Sequence, residues 1–125
     1  MGLYTQWITH KGKSILFVNA ARLSESEFIA AMDEFKAECL RSPRDSRVLI
    51  DLTDTIMTNA TNAKSREVDR DVNAYLREQG ISRQPVATVG LTSLRRAIAQ
   101  LISREIHFAE SIEDAKDWLV EQEAK

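Results

Sequence analysis

The sequence predicts an α/β domain whose sheet is mainly parallel, and two observations carry that prediction. Between Pro85 and Leu119, short apolar runs alternate with apolar residues repeated at helical spacing, and few residues lie between them. Earlier in the chain, Ile15–Val18 is apolar at every position, which is typical of a central strand covered on both faces. Strands that alternate with helices in pieces this short indicate parallel strands joined by helical crossovers.

The elements are expected in the order strand, strand, helix, strand, helix, strand, helix, strand, helix. The first strand has mixed faces, as expected of a sheet edge. The first helix begins after Ser24, which can form a capping box with Glu27, and the second ends near Gly80, a favourable C-terminal cap. The expected strands are residues 4–9, 15–18, 48–52, 86–91 and 106–108, and the expected helices are residues 25–40, 60–79, 94–102 and 111–119.

Right-handed crossovers give the expected five-stranded sheet order first–third–second–fourth–fifth, with the first strand as an antiparallel edge. Four helices then cover two faces, the first and last on one face and the middle two on the other. Because the chain reverses direction between the second and fourth strands, we expect a ligand at the carboxyl ends of the strands beside that point. The residues at this rim are Asn19–Arg22, Asp51–Thr61 and Leu91–Arg96.

Length and composition indicate one domain, residues 1–125, and exclude several classes of partner. With 17 basic and 19 acidic residues the formal net charge is -2, so nucleic-acid binding by bulk charge is not expected. No run approaches the ~20 apolar residues of a membrane-spanning helix, and the first residues lack a signal-peptide pattern, so we expect a cytoplasmic protein. The single cysteine, Cys39, follows Phe28, Met32 and Phe35 at helical spacing and is expected in the core.

The residues that could carry chemistry form no catalytic or metal-binding pattern. Asp51 and Asp54 flank the end of the third strand, where they could bind Mg²⁺ or accept a phosphoryl group, or could instead stabilise a turn. His10 and His107 have no histidine, cysteine or carboxylate at ligand spacing. A glycine-rich phosphate loop, a nucleophile elbow and zinc spacing are all missing. The sequence therefore predicts a non-enzymatic protein without a metal or cofactor.

Two segments at the rim supply the candidate binding residues. The segment that enters the second helix is rich in good N-cap residues, and that helix has no large apolar residue before Val68, so its first two turns should pack weakly. The third helix begins with two arginines, although a cation in a first turn is unfavourable by about 0.3–1 kcal/mol. They indicate either an anion site or two solvated arginines, with residues 94, 97, 98 and 101 facing inward. The candidates are Thr53, Thr58, Asn59, Thr61, Thr92, Ser93, Arg95 and Arg96.

Three segments of the chain, Val48–Thr53, Val89–Arg96 and Phe108–Leu119, follow one another in a recognisable order and spacing. Together they resemble the SpoIIAA-like group of STAS domains, the STAS/SEC14-type family of small bacterial proteins, and the resemblance covers residues 4–122. It implies a non-enzymatic domain. Anti-sigma-factor antagonists of this group are protein-binding switches controlled by phosphorylation of a Ser or Thr at the start of the second helix. The SEC14-like relatives suggest binding of a lipid or another apolar ligand.

The chain departs from those switch proteins at the phosphorylated site. Their Asp-Ser-Ser/Thr-Gly signature is absent, and Met57–Thr61 stands in its place. Thr58 is the nearest positional substitute and is the expected phosphorylation site, with Thr61 one turn further into the helix.

Two functions of different classes are consistent with these residues. The first is a regulatory module that binds a protein partner on residues 53–64 and the start of the third helix. The second is a carrier or sensor for a small amphipathic or anionic ligand, such as a lipid, whose head group Arg95 and Arg96 would bind. A homodimer through the edge strands, residues 4–9 and 105–109, is a further expectation.

Overall fold

A mixed five-stranded sheet with four helices forms the fold, which confirms the predicted α/β class and the predicted order of elements. The computed structural model describes residues 2–41, 46–81, 84–102 and 106–122. The strands are β1 Thr5–His10, β2 Lys13–Asn19, β3 Arg47–Asp51, β4 Val86–Val89 and β5 Ile106–Ala109, and the helices are α1 Glu25–Cys39, α2 Asn59–Glu78, α3 Ser93–Ile102 and α4 Ile112–Glu121.

The order of the strands within the sheet differs from the expected one. The strands lie in the order β1-β2-β3-β4-β5, with β1 antiparallel to β2 and the others parallel, so the expected order first–third–second–fourth–fifth is wrong. The tight turn between β1 and β2 explains the difference. Lys11 and Gly12 have φ of 49° and 81°, which closes a two-residue hairpin that pairs β1 directly with β2. Only one edge of β2 is then free, and each later strand adds outward from it.

The same sheet order corrects the placement of the helices. Because every crossover from β2 to β5 advances in one direction, right-handed connections place α1, α2 and α3 on one face and leave α4 for the other. Core side chains of α1 and α2 pack with Leu16 and Val18, whereas those of α4 pack with Ile15 and Leu49. The expectation that the first and last helices share a face is wrong. Successive strands are also added to the sheet in one direction only, from β1 to β5. The reversal that led us to expect a ligand crevice beside β2 is therefore not present among the described strands.

The first helix and its cysteine follow the sequence prediction. The Ser24 hydroxyl oxygen accepts a hydrogen bond from the Glu27 N–H at 3.3 Å, and a Glu27 carboxylate oxygen accepts from the Ser24 N–H at 3.0 Å, forming the capping box. Cys39 is fully buried in the core on the α1 and α2 face. This burial raises the pKa of its thiol far above the ordinary value, so Cys39 is a structural residue.

The α4 face of the sheet is closely packed. Ala115 and Leu119 are fully buried against Leu49 and two small strand residues, Ala87 and Ala109. At the edge, the His107 and Trp118 rings stack with their centroids 4.1 Å apart, so Trp118 fixes α4 to β5.

A buried arginine fastens the carboxyl end of α4 to the sheet. The Arg47 guanidinium donates from Nε to the Leu119 carbonyl at 2.8 Å and from Nη2 to the Gln122 carbonyl at 2.6 Å. These bonds add to the backbone cap of α4, in which the Leu119 carbonyl also accepts from the Gln122 N–H at 3.2 Å. No helix in the described part of the chain has both the length and the apolarity that crossing a bilayer requires.

Candidate functional site

The turn after β3 is stabilised by Asp51. Its Oδ1 accepts hydrogen bonds from the Thr53 N–H at 3.0 Å and the Thr53 hydroxyl at 2.7 Å, which confirms the interpretation of Asp51 as a turn residue. Gly90, at φ 87°, lies so close to Thr53 that an added Cβ would overlap its side chain and backbone. Asp54 is exposed and lies 3.5 Å from the Arg22 Nε. Within the described ranges, no three histidine, cysteine or carboxylate side chains group as metal ligands.

Thr58 and Thr61 form the N-terminal cap of α2. The Thr58 hydroxyl oxygen accepts from the Thr61 N–H at 3.1 Å, and the Thr61 hydroxyl oxygen accepts from the Thr58 N–H at 2.8 Å. The Thr58 hydroxyl also donates to the Glu25 Oε2 at 2.7 Å, which joins α2 to the first turn of α1. Thr61 is buried, and Asn59 beside it is exposed.

The start of α3 is held by both arginines, although in a different way from either sequence interpretation. Arg95 donates from Nη1 to the Thr55 carbonyl, and Arg96 donates from Nε to the Leu91 carbonyl at 3.1 Å. The Arg96 guanidinium also lies 5.5 Å from the centre of the Phe108 ring. Both side chains are half-buried and have protein partners.

The remaining two candidate residues lie at the first turn of α3. The Thr92 carbonyl accepts from the Arg96 N–H at 2.8 Å, so the helical bonds begin there. Thr92 and Ser93 are exposed. Arg95 therefore joins the start of α3 to the β3–α2 loop, residues 52–58. Thr58 at the end of that loop bonds Glu25 instead, and no described contact joins Thr58 to either arginine.

The orientation of α3 reverses the expected burial of its leucines. Leu94 is 74% exposed and Leu101 is 80% exposed, and Ala97 between them is also exposed. Among the residues of α3 whose burial is described, Ser93 to Leu101, Ala99 is the buried one. The expectation that residues 94, 97 and 101 face inward is wrong, because the hydrogen bonds of the two arginines turn the opposite side of the helix toward the protein.

A cavity that the sequence analysis did not predict lies between α2 and the sheet. Its volume is about 460 Å³, and its walls come from the helices α1, α2 and α3 and the strands β3, β4 and β5. Thr88 on β4 lines it, is 2% exposed, and has a hydroxyl oxygen without a hydrogen-bond partner among the described residues. A polar residue in the otherwise apolar run Val86–Val89 was the available signal in the sequence.

Comparison with solved structures identifies the fold. No protein-family model matches the sequence, and no match is found among curated proteins. A solved anti-sigma-factor antagonist (STAS) domain protein from Planctomyces limnophilus is similar to this chain, with a TM-score of 0.52 and 13% sequence identity. The match covers 93% of this chain and 97% of that one. The resemblance seen in the sequence is thereby confirmed at the level of the fold: this chain has a SpoIIAA-like STAS fold.

Proposed function

We propose that this domain is a non-enzymatic regulatory module that binds a protein partner through the outer face of α3 and the adjoining β3–α2 loop. The observation that carries the proposal is the exposure of Leu94 and Leu101 on one side of a short helix. With Ala97 they stand at positions i, i+3 and i+7, the spacing with which a helix contacts an apolar groove or a second helix. We define these three residues, together with Ile56, as the α3 surface.

The contacts around the α3 surface support its use for docking a protein. Arg95 fixes α3 to the Thr55 carbonyl, and Ile56, the next residue of that loop, is 40% exposed. A helix anchored in this way presents its leucines without further ordering, which lowers the entropic cost of binding. The partner that fits is a protein with an apolar groove or helix face, because exposed leucines beside arginines match the apolar centre and arginine content of protein interfaces.

The fold supports a regulatory role. The similar protein from Planctomyces limnophilus is described as an anti-sigma-factor antagonist (STAS) domain protein. At the rim the Thr53 hydroxyl donates to the Asp51 carboxylate at 2.7 Å, and the same carboxylate oxygen accepts from the Thr53 N–H, so this pair stabilises the turn after β3.

A pair of leucine variants tests the docking surface. Leu101→Glu adds a charge to the α3 surface, and Leu3→Glu is a matched control because Leu3 is comparably exposed, at 83%, at the other end of the chain. We expect proteins recovered from the native cell with the wild type to be lost with Leu101→Glu and retained with Leu3→Glu. Recovery of the same proteins with both variants would contradict the proposal. Light scattering of the purified variants separates a different partner from a second copy of this chain.

Thr58 is the proposed site of control by phosphorylation. A phosphate there adds about -1.5 to -2 charges next to the Glu25 carboxylate and removes the donor of the 2.7 Å bond that joins α1 to α2. This contact supports loosening of the α2 start on phosphorylation. Peptide mass spectrometry of the protein from its native cell tests the modification, and Thr58→Glu tests its effect on partner recovery. An unmodified Thr58 under all growth conditions, with unchanged partner recovery by Thr58→Glu, would exclude this switch.

A further inference from the structure

We propose that the cavity beneath α2 binds an uncharged, mostly apolar small molecule whose single hydroxyl or carbonyl group hydrogen-bonds to Thr88. This inference does not depend on the α3 residues of the α3 surface, because Leu94, Ala97 and Leu101 lie outside the cavity, whereas Ile56 of that surface is also one of its lining residues.

The size of the cavity argues for an occupant. A volume of about 460 Å³ lies within the ~300–1,000 Å³ range of small-molecule sites. It equals roughly fifteen water molecules at about 30 Å³ each, far more than the packing defects of an ordinary core. Phe28, Met32, Val68 and Val72 form much of the helical wall, and these side chains give an apolar ligand contacts that water cannot match.

Thr88 supplies the polar point of recognition. Thr88 is a lining residue of the cavity, its buried hydroxyl oxygen has no hydrogen-bond partner among the described residues, and its neighbours in register on the adjacent strands are Ile50 and Phe108. Buried hydroxyl groups in proteins are almost always hydrogen-bonded, and an unpaired one is costly. A hydroxyl both donates and accepts, so a ligand hydroxyl or carbonyl at this point satisfies it.

The charges around the cavity select against ionic ligands. Among the described lining residues, Asp69 and Arg77 are the charged ones, and they carry opposite signs. Arg77, with Ile56 and Asn73, is exposed, so the charged end lies toward solvent. Arg95 and Arg96 are not part of the lining and already bond carbonyl groups, which separates this site from an anion site at the start of α3.

Three ligands that share one ring system test the chemistry. Naphthalene offers the apolar body alone, 2-naphthol adds a hydroxyl, and 2-naphthoate adds a negative charge. Each is titrated into the full chain, and binding is followed by methyl NMR. Methyl groups of Thr88 and Val72 in the cavity should shift, while those of Ile15 and Leu49 on the α4 face should not. We expect 2-naphthol and naphthalene to bind and 2-naphthoate to bind at least tenfold more weakly.

Three variants localise the site. Thr88→Val keeps the shape of the side chain and removes its hydroxyl, so it should weaken 2-naphthol binding by about three- to tenfold and leave naphthalene binding unchanged. Ala99→Phe places a ring in the cavity and should abolish both, whereas Ala97→Phe makes the same change on the outer side of α3 and should abolish neither.

The outcomes that overturn the proposal are distinct. Unshifted cavity methyl groups with all three compounds at saturation would exclude a ligand site. Equal binding of 2-naphthol to the wild type and Thr88→Val would exclude Thr88 as the recognition group. Preferential binding of 2-naphthoate would exclude an uncharged ligand. None of these results bears on partner recovery by Leu101→Glu, so the two proposals fail separately.

Discussion

The two faces of the sheet are packed in different ways. On one face, α4 lies close over β3, β4 and β5, because alanines at 87, 109 and 115 let the helix approach the strands. On the other face, the backbone of α2 approaches α1 and α3 most closely, and a cavity separates it from the strands. The first two turns of α2 present Thr61 and Ser65 to this space.

The difference shows that one face of a small sheet can be closely packed while the other face contains a cavity. The α4 face buries Ile15, Leu49 and Leu119 completely and adds the Arg47 hydrogen bonds, which stabilise the fold. The α2 face then retains an internal space without unfolding the chain. If this division is correct, equivalent changes on the two faces should have unequal effects.

Truncation of one leucine on each face should give the largest contrast. Leu119→Ala removes a fully buried side chain from the α4 face and should lower the free energy of unfolding by about 4 kcal/mol. Leu76→Ala removes the same atoms from a side chain that lines the cavity and has fewer neighbours to lose, so we expect about 2 kcal/mol. Urea denaturation measures both. Equal losses would show that the cavity face is as well packed as the α4 face.

Replacing one alanine on each face by leucine should lower the stability on the α4 face and leave it nearly unchanged, or raise it, on the cavity face. Ala115→Leu forces three carbons into the packed α4 interface and should destabilise the protein by about 1–3 kcal/mol. Ala99→Leu extends into the cavity and should change stability by less than about 0.5 kcal/mol or raise it. The melting temperature of each variant, compared with that of the wild type, measures these changes in stability. A large loss from Ala99→Leu would mean that the cavity is too narrow there for a side chain.

Acid should weaken the α1 side of the sheet more than the α4 side. Hydrogen bonds from Arg41 and then Trp7 lower the pKa of the buried Glu38 carboxyl, and those from His10 and then Lys11 lower the pKa of the half-exposed Asp117 carboxyl on α4. A folded-state pKa below the unfolded value stabilises the protein above the unfolded pKa, and this contribution is lost as the pH falls through the folded one.

The corresponding variants are Glu38→Gln and Asp117→Asn, compared by urea denaturation from pH 7 to pH 3. Glu38→Gln should cost about 1 kcal/mol at pH 7, and the difference from the wild type should shrink below about pH 4. Asp117→Asn should have a smaller effect, because solvent screens that pair. A larger pH dependence in the Asp117 comparison would reverse the expected ranking.

Valine substitutions of two buried threonines on the cavity face should have small effects of opposite sign. The Thr55 hydroxyl donates to the Ala20 carbonyl at 2.9 Å, so Thr55→Val should lower stability by about 1 kcal/mol. Thr88→Val removes an unpaired hydroxyl and should raise stability by about 0.5 kcal/mol in the absence of ligand. A loss of stability from Thr88→Val would indicate that the free protein already satisfies this hydroxyl with ordered water.

The sequence was informative wherever the interaction is local. The capping box of Ser24, the cap at Thr58 and the turn at Asp51 join residues two or three positions apart. Spacing predicted the Ser24 box directly, whereas it gave the cap of α2 as one of several N-cap residues and the turn as one of two interpretations of Asp51. The order of the strands depends on which edge of β2 is left free by the hairpin at Gly12, which periodicity does not reveal.

The same limit applies to α3 and to the cavity. The stripe that includes Leu94 and Leu101 is amphipathic in sequence, but amphipathicity does not say whether the face is covered by this chain or by another. The cavity is bounded by residues from Phe28 to Ile106, and an empty volume among such distant positions has no signature in any one segment. Thr58 and the two arginines were expected near one rim, yet only the structure shows that Thr58 bonds α1 while Arg95 bonds Thr55.

The bonds of Arg47 have a consequence for how the chain folds as a ribosome makes it. They join β3 to carbonyl groups 72 and 75 residues later, so the α4 face stays uncovered until nearly the whole described chain has emerged. The α1 and α2 face, in contrast, is assembled from the earlier elements. We therefore expect nascent chains that stop before residue 119 to expose the apolar side chains of Ile15 and Leu49 and to depend on chaperones during synthesis.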